Sequence, residues 1–270
     1  MRAGLDTEFF DLPLPRVIAH RGASGDYPEN TIPAFGAACA IGAPYIELDV
    51  HITRDGEIVV IHDDDLTRVA GHDGVVREMT IAEVKAADAG RNFSRDGGRN
   101  FPFRGQGIRV PALSEVFAAF PEQRFIVEIK HTEPDLVHAL IALIDRAKMR
   151  RRVLVASEHQ GPIDELRAIA PELPTNLPAN EVGLFMMSLA PMAEPYAPRG
   201  QALQIPPEHQ RWKLVSAESV AMARRIGIET HVWTVNGAAE MREMLELGVD
   251  GILTDYPARL IEVVRGGFFH

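Results

Sequence analysis

Short β-branched runs alternate with stretches of helical periodicity along most of this chain. Val17–His20, Tyr45–Ile52, Arg124–Lys130, Val153–Ser157, Val182–Met187, Ala202–Ile205, Val232–Val235 and Gly251–Thr254 read as strands. Apolar positions at helical spacing occupy Pro33–Ile41, Leu113–Phe120, Asp135–Ala147 and Ala238–Leu247. Alternation of this kind builds a parallel sheet under a layer of helices. Eight such runs predict an α/β fold closed as a (β/α)8 TIM barrel, with residues 1–270 as a single domain.

One extended run, Glu57–His62, breaks the alternation. It follows Tyr45–Ile52 through Thr53-Arg54-Asp55-Gly56, and Asp-Gly between β-rich runs signals a hairpin, so this leg should run antiparallel to its predecessor. A two-residue Asp55-Gly56 turn would set Arg54 opposite Glu57 and Asp49 opposite His62. Beyond the hairpin, residues 63–110 pass through Gly-, Arg- and Asn-rich segments, read as a small insertion over the barrel mouth. Its five arginines at 91, 95, 99, 104 and 109 face one Asp96. They could steer an anion, although a solvated loop is the simpler reading.

Charge and composition narrow the function. A formal net charge of −10 argues against general nucleic-acid or anionic-membrane binding. No run approaches the ~18 apolar residues of a membrane span. The first fifteen residues lack a basic start and an apolar run, so no signal peptide is expected. The lone Cys39 lies among small apolar residues, which suits a buried helix position in a reducing, cytoplasmic setting.

The candidate chemistry follows from strand alternation. Glu47, Asp49 and His51 share one face of their strand, with Ile46, Leu48, Val50 and Ile52 on the other. The apolar set must meet the helices, so the acids point inward, near the C-terminal mouth where barrel enzymes work. Ile126, Glu128 and Lys130 share a face of the next parallel strand. Three carboxylates converging on one cavity repel one another and raise their pKa values. A hard divalent cation removes that conflict, and oxygen ligation suits Mg²⁺ or Ca²⁺ better than zinc. His20 and Arg21 end the first strand at the same mouth. Two imidazoles, an arginine and a lysine around such a cation make a phosphodiester site.

These residues resemble a known family. His20-Arg21-Gly22, Pro28-Glu29-Asn30-Thr31, Glu47-Leu48-Asp49-Val50, Val59-Val60-Ile61-His62-Asp63, Glu128-Ile129-Lys130, Trp233-Thr234-Val235-Asn236 and Thr254-Asp255-Tyr256-Pro257 look like the glycerophosphodiester phosphodiesterases, in order and over nearly the whole chain. The resemblance implies hydrolysis of a small-molecule glycerophosphodiester to sn-glycerol 3-phosphate and an alcohol. By matched motif, it implies Glu47, Asp49 and Glu128 as metal ligands, His20 and His62 as the acid–base pair, and Arg21 and Lys130 as phosphate ligands. Trp233 either walls the substrate pocket or packs in the core.

Other readings stand beside these. Asn30 or Thr31 reads as an N-cap, Asp255 as a helix cap, and His51 as structural. A catalytic part for Glu29 has little support. A lysophospholipase D- or sphingomyelinase D-like enzyme on the same scaffold would need an apolar groove or interfacial surface at the mouth, and no exposed aromatic stretch is evident there. A barrel that only binds a phosphorylated ligand would have lost an acid–base histidine, and both remain. The segment around Leu173–Pro207 matches the family only loosely.

Overall fold

In a computed structural model, the structure describes residues 7–132 and 134–267. Seven parallel strands lie side by side in the order Val153–Ala156, Arg124–Ile129, Tyr45–Ile52, Arg16–His20, Gly251–Thr254, Glu229–Val232 and Ala202–Ile205. Parallel bridges from Val155 to Thr175 and from Asn176 to Ala202 join the two ends. Residues 175 and 176 are thus the eighth stave, and the sheet closes as a TIM barrel.

The predicted strand at Val182–Met187 is instead part of a helix, Ala179–Met187. Val182 is its only β-branched residue, and Leu184, Met186 and Met187 favour a helix strongly enough to carry Gly183. The true stave escaped notice because prolines at 174 and 178 bracket it, leaving two residues to pair. The strand expected at Val232–Val235 also sits earlier, at Glu229–Val232. Its inward positions, Glu229 and His231, are polar and hid the apolar period.

Alternation sorts the side chains as the sequence requires. Ile46, Leu48 and Val50 pack outward with Phe125, Val127 and Ile129 against helices such as Pro134–Arg146, which buries Leu136, Leu140 and Ile144. The lower barrel interior is filled by Phe9, Ile18, Tyr45, Ile126 and Leu154. Beneath them Arg16, 2% exposed, makes a bidentate pair with Glu229 at 2.5 and 2.7 Å. Apolar filling below and charge above concentrate every inward acid of the second stave at the mouth.

The hairpin forms, with Ile58–Val60 antiparallel to the second stave. Its register differs from expectation by one residue. Val50 pairs with Val60 and Ile52 with Ile58, so the loop holds three residues, 54–56, with Gly56 at φ 83°. A three-residue loop ending in a left-handed glycine is the G1-bulge alternative to a two-residue turn. Thr53 Oγ1 fixes it by donating to Asp55 Oδ1 at 2.6 Å. Asp49 therefore accompanies Ile61, whose N–H donates to the Asp49 carbonyl at 3.0 Å. His62 reaches the site because the strand ends at Val60 and the chain turns there.

The insertion has its own apolar cluster, including Leu66, Val76, Val84 and Val110. Its arginines bind backbone rather than solvent alone. Arg95 donates to the Asp26 carbonyl, Arg104 to that of Arg91 and Arg109 to that of Ala86. Tyr27 and Phe103 stack against each other, with ring centres 5.6 Å apart. The insertion is thereby pinned beside the mouth. Among the described residues, no helix is long and apolar enough to cross a membrane.

Candidate active site

Glu47, Asp49 and Glu128 each offer an oxygen within 4.8 Å of the other two. Sheet register makes the cluster: Asp49 lies beside Glu128 across parallel strands, and His20 beside Glu47. All three acids are drawn out of water, and charge then distinguishes them. Burial, and then the negative charge of Asp49, pushes the Glu47 carboxyl up to about 8. Burial and Asp49 raise Glu128 as well. Burial works to raise Asp49 too, but the Arg21 and Lys130 cations outweigh it and hold it below the ordinary carboxylate range.

The donor set fits a hard cation. Glu47 Oε1 is buried with no hydrogen-bond partner, while Oε2 accepts from the Arg21 backbone N–H at 3.0 Å. Asp49 Oδ2 accepts from Asn30 Nδ2 at 2.8 Å and faces Arg21 Nε at 3.1 Å. Asp49 Oδ1 has no hydrogen bond and lies 3.4 Å from Lys130 Nζ. A buried, unsatisfied carboxylate oxygen is costly without a charge to meet it. An all-oxygen site of this kind matches Mg²⁺ or Ca²⁺ ligation.

His20 and Arg21 both face the site because the strand ends at His20. Arg21 takes φ 56° and Gly22 φ 84°, and this left-handed turn cancels the alternation that would send neighbours to opposite faces. A side chain at Gly22 would stand 2.7 Å from the Ala34 backbone, so helix Ile32–Ala40 packs directly on the turn. That helix is capped by Thr31, whose Oγ1 accepts from Ala34 N–H at 3.4 Å. Asn30, at φ 56°, is not the cap; its amide is spent on Asp49.

Each histidine is held by a carboxylate on its Nδ1. His20 Nδ1 donates to Asp255 Oδ1 at 2.7 Å. Asp255 also accepts from Ser24 Oγ at 2.9 Å and Asn236 Nδ2 at 2.7 Å. It is therefore an orienting group and not the expected helix cap. Burial lowers the His20 pKa, but the Asp255 hydrogen bond and the Glu47 charge outweigh it and leave it raised. His62 Nδ1 donates to Asp63 Oδ1 at 2.7 Å. Asp63 in turn accepts from Arg68 Nε at 2.6 Å, and Arg68 grips Glu29 with both NH groups at 2.7 Å. Glu29 accepts from Arg21 at 2.9 Å. One chain of charges from the insertion thus fixes His62 and Arg21 together. Buried His51 contacts the His62 carbonyl at 3.0 Å, which fits its structural reading.

Over this cluster opens a cavity of about 540 Å³. His20, Glu47, His62, Glu128 and Lys130 form one side. Leu177, Val182, Met186, Ile205, Leu214 and Trp233 form much of the other. Trp233, 37% exposed, belongs to the pocket wall. Sequence reasoning missed Asn30, Asp63, Arg68 and Asp255 as site residues. Asp255 carried a signal, since it ends the eighth stave at the mouth where barrel sites are built. Asn30 carried none, because Thr31 beside it satisfies the cap.

The model of the Glycerophosphoryl diester phosphodiesterase family matches residues 20–259. A glycerophosphodiester phosphodiesterase from Caldanaerobacter subterraneus is 35% identical over 258 residues, covering 93% of this chain and 98% of the relative. A lysophospholipase D from Mus musculus is 28% identical over 273 residues, covering 92% and 85%. The crystal structure of a glycerophosphodiester phosphodiesterase from Agrobacterium tumefaciens shares 27% identity at a TM-score of 0.73, covering 92% of this chain and 99% of that one.

Proposed function

The chain belongs to the glycerophosphoryl diester phosphodiesterase family, and we propose that it hydrolyses glycerophosphodiesters to sn-glycerol 3-phosphate and an alcohol. Glu47, Asp49 and Glu128 would hold one divalent cation, Mg²⁺ or Ca²⁺. Such a cation, when bound, supplies Lewis-acid stabilisation of charge developing on the phosphate. Arg21 and Lys130 bind the phosphate oxygens from beside the carboxylates. His20 and His62 move the protons: one imidazole takes the proton of the attacking group, the other gives one to the departing oxygen, with one water consumed overall. The lone Cys39 suits a cytoplasmic, reducing setting.

The observation that carries this reading is the pairing of the two rings. Both histidines lose Nδ1 to a carboxylate, which leaves Nε2 of each for chemistry in the cavity. A structural ion-pair network has no need of two rings so held. The test is release of glycerol 3-phosphate from glycerophosphocholine. Glu47→Ala and His62→Ala should each abolish it while circular dichroism stays unchanged; near wild-type release by both overturns the assignment. EDTA should silence the enzyme, and added Mg²⁺ or Ca²⁺ should restore it.

A second reading draws support from the apolar cavity wall. Val182, Met186, Leu214 and Trp233 offer an acyl chain the groove that a lysophospholipase D-type reaction requires. Comparing glycerophosphocholine with lysophosphatidylcholine in one assay separates the two.

A further inference from the structure

Among the described residues eight large hydrophobic side chains are exposed, and five of them fall between residues 184 and 233. Leu184 is 55% exposed, Met187 70%, Met192 102% and Trp212 76%. The fifth, Trp233, already belongs to the cavity wall. Isolated exposed hydrophobics are ordinary, whereas a concentration around one opening marks an interaction surface.

Two elements carry the patch, and both border the cavity. Helix Ala179–Met187 turns Val182, Gly183 and Met186 into the cavity. At 100° per residue, Met187 falls next to that face and Leu184 beyond it. Phe185 and Glu181 point the other way and are buried. The helix therefore keeps a wet apolar flank that nothing among the described residues covers. The second element is the hairpin of Glu208–His209 with Trp212–Lys213. His209 lines the cavity and pairs directly with Trp212, so both rings stand on one face of the ribbon. The connecting residues Gln210 and Arg211 have φ 46° and 74°. Neither is glycine, so this two-residue turn is held at a cost of order 1–2 kcal/mol per residue.

Charge indicates what the patch meets. In a protein of formal net charge −10, Trp212 follows Arg211, and Lys213 beyond it lies 3.7 Å from Glu243 Oε1. An amphipathic ring beside a cation suits the boundary between phosphate head groups and acyl chains. The overall negative charge disfavours an anionic surface, leaving a zwitterionic one.

We propose that the outer flank of helix Ala179–Met187 and the Trp212 hairpin dock on a zwitterionic phospholipid surface and set the cavity mouth against it. Leu184, Met187 and Trp212 enter the acyl boundary, and Arg211 meets the head-group phosphates. The idea rests on the phosphodiesterase reading for its purpose, since a mouth held at the interface would take lysolipids from it, but binding itself needs no turnover.

The test is sedimentation of the full chain with phosphatidylcholine vesicles, alongside hydrolysis of water-soluble glycerophosphocholine. Wild type should partition to the vesicles. Trp212→Ala combined with Leu184→Ser and Met187→Ser should lower partitioning by roughly tenfold per side chain removed. Glycerophosphocholine turnover should stay unchanged, because none of the three residues lies in the catalytic cluster. Wild type that stays in the supernatant with turnover intact overturns the docking surface and spares the function. Vesicle binding without turnover keeps the surface and overturns the function. Light scattering that shows a dimer lost in the triple variant, without vesicle binding, assigns the patch to a second copy and also overturns the proposal.

Discussion

Raising the pH should weaken the cation-free fold and strengthen its hold on a divalent cation, because one carboxyl governs both. Glu47 stands at about 8 in the folded chain against an ordinary 4.5. Between those values the folded protein keeps a proton that the unfolded chain has released. Stability should therefore fall as pH rises through this window, by up to ~1.4 kcal/mol per pH unit. A cation competes with that same proton. Between pH 6 and pH 8 the ionised fraction of Glu47 grows on the order of 50-fold, which adds about 2 kcal/mol of cation-linked stabilisation at a fixed, saturating concentration. For a chain of 270 residues, the cation-induced rise in Tm should then be roughly 5–9 °C larger at pH 8 than at pH 6. Differential scanning fluorimetry with EDTA or with excess Mg²⁺ or Ca²⁺ at each pH measures it. Glu47→Gln serves as the control and should lose the cation response at both. A wild-type response equal at the two values, or larger at pH 6, refutes the shared-proton account of the cluster.

Three further residues give outcomes, two from the network around the cluster and one from the barrel floor. Asp255→Asn removes the main support of the raised His20 pKa, so the limb of the pH–kcat/KM profile set by His20 should move to lower pH, with kcat down roughly 10²–10⁴-fold; loss of a mere helix cap would leave the profile in place. Arg68→Ala should lower kcat/KM by roughly tenfold to a hundredfold by loosening His62 and Arg21 together. Arg68→Lys should recover little of that loss, since an ammonium has no fork to grip Glu29 and Asp63 at once; full recovery contradicts the bridging role. On the barrel floor, the Arg16 and His231 partners lower Glu229 to about 2 despite burial. Its contribution of ~3 kcal/mol is present above pH ~4.5 and fades toward pH ~2. Glu229→Gln should therefore cost that much at neutral pH and flatten the acid limb of stability; an unchanged acid limb argues against the pairing.

The fold was legible wherever apolar alternation was clean. The second stave was found residue for residue, because Ile46, Leu48 and Val50 repeat at period two with nothing to interrupt them. It failed where pairing is short or the interior polar. Residues 175 and 176 pair through only one bridge on each side, too little to leave a run in the sequence. Glu229 is buried because Arg16 reaches it from another strand 213 residues away, and His231 is buried against Glu229 in turn; no local pattern encodes such partners.

The site divides along a different line. Inward acids on neighbouring strands declare themselves, since burying charge needs a reason that alternation alone makes visible. Groups that act through those residues do not. Arg68 sits in the insertion, nearly half exposed, and reads as any surface arginine until the fold sets Asp63 and Glu29 on either side of its guanidinium. The hairpin shows the same limit more sharply. A two-residue turn would have delivered His62 by strand register, whereas the three-residue loop moves Ile61 into that register position. His62 arrives only because the strand stops at Val60 and Asp63, pulled by Arg68, anchors the ring. The imidazole is thus set by a side chain in the insertion and not by β-pairing, so shortening the insertion should disable His62 even with every barrel residue intact.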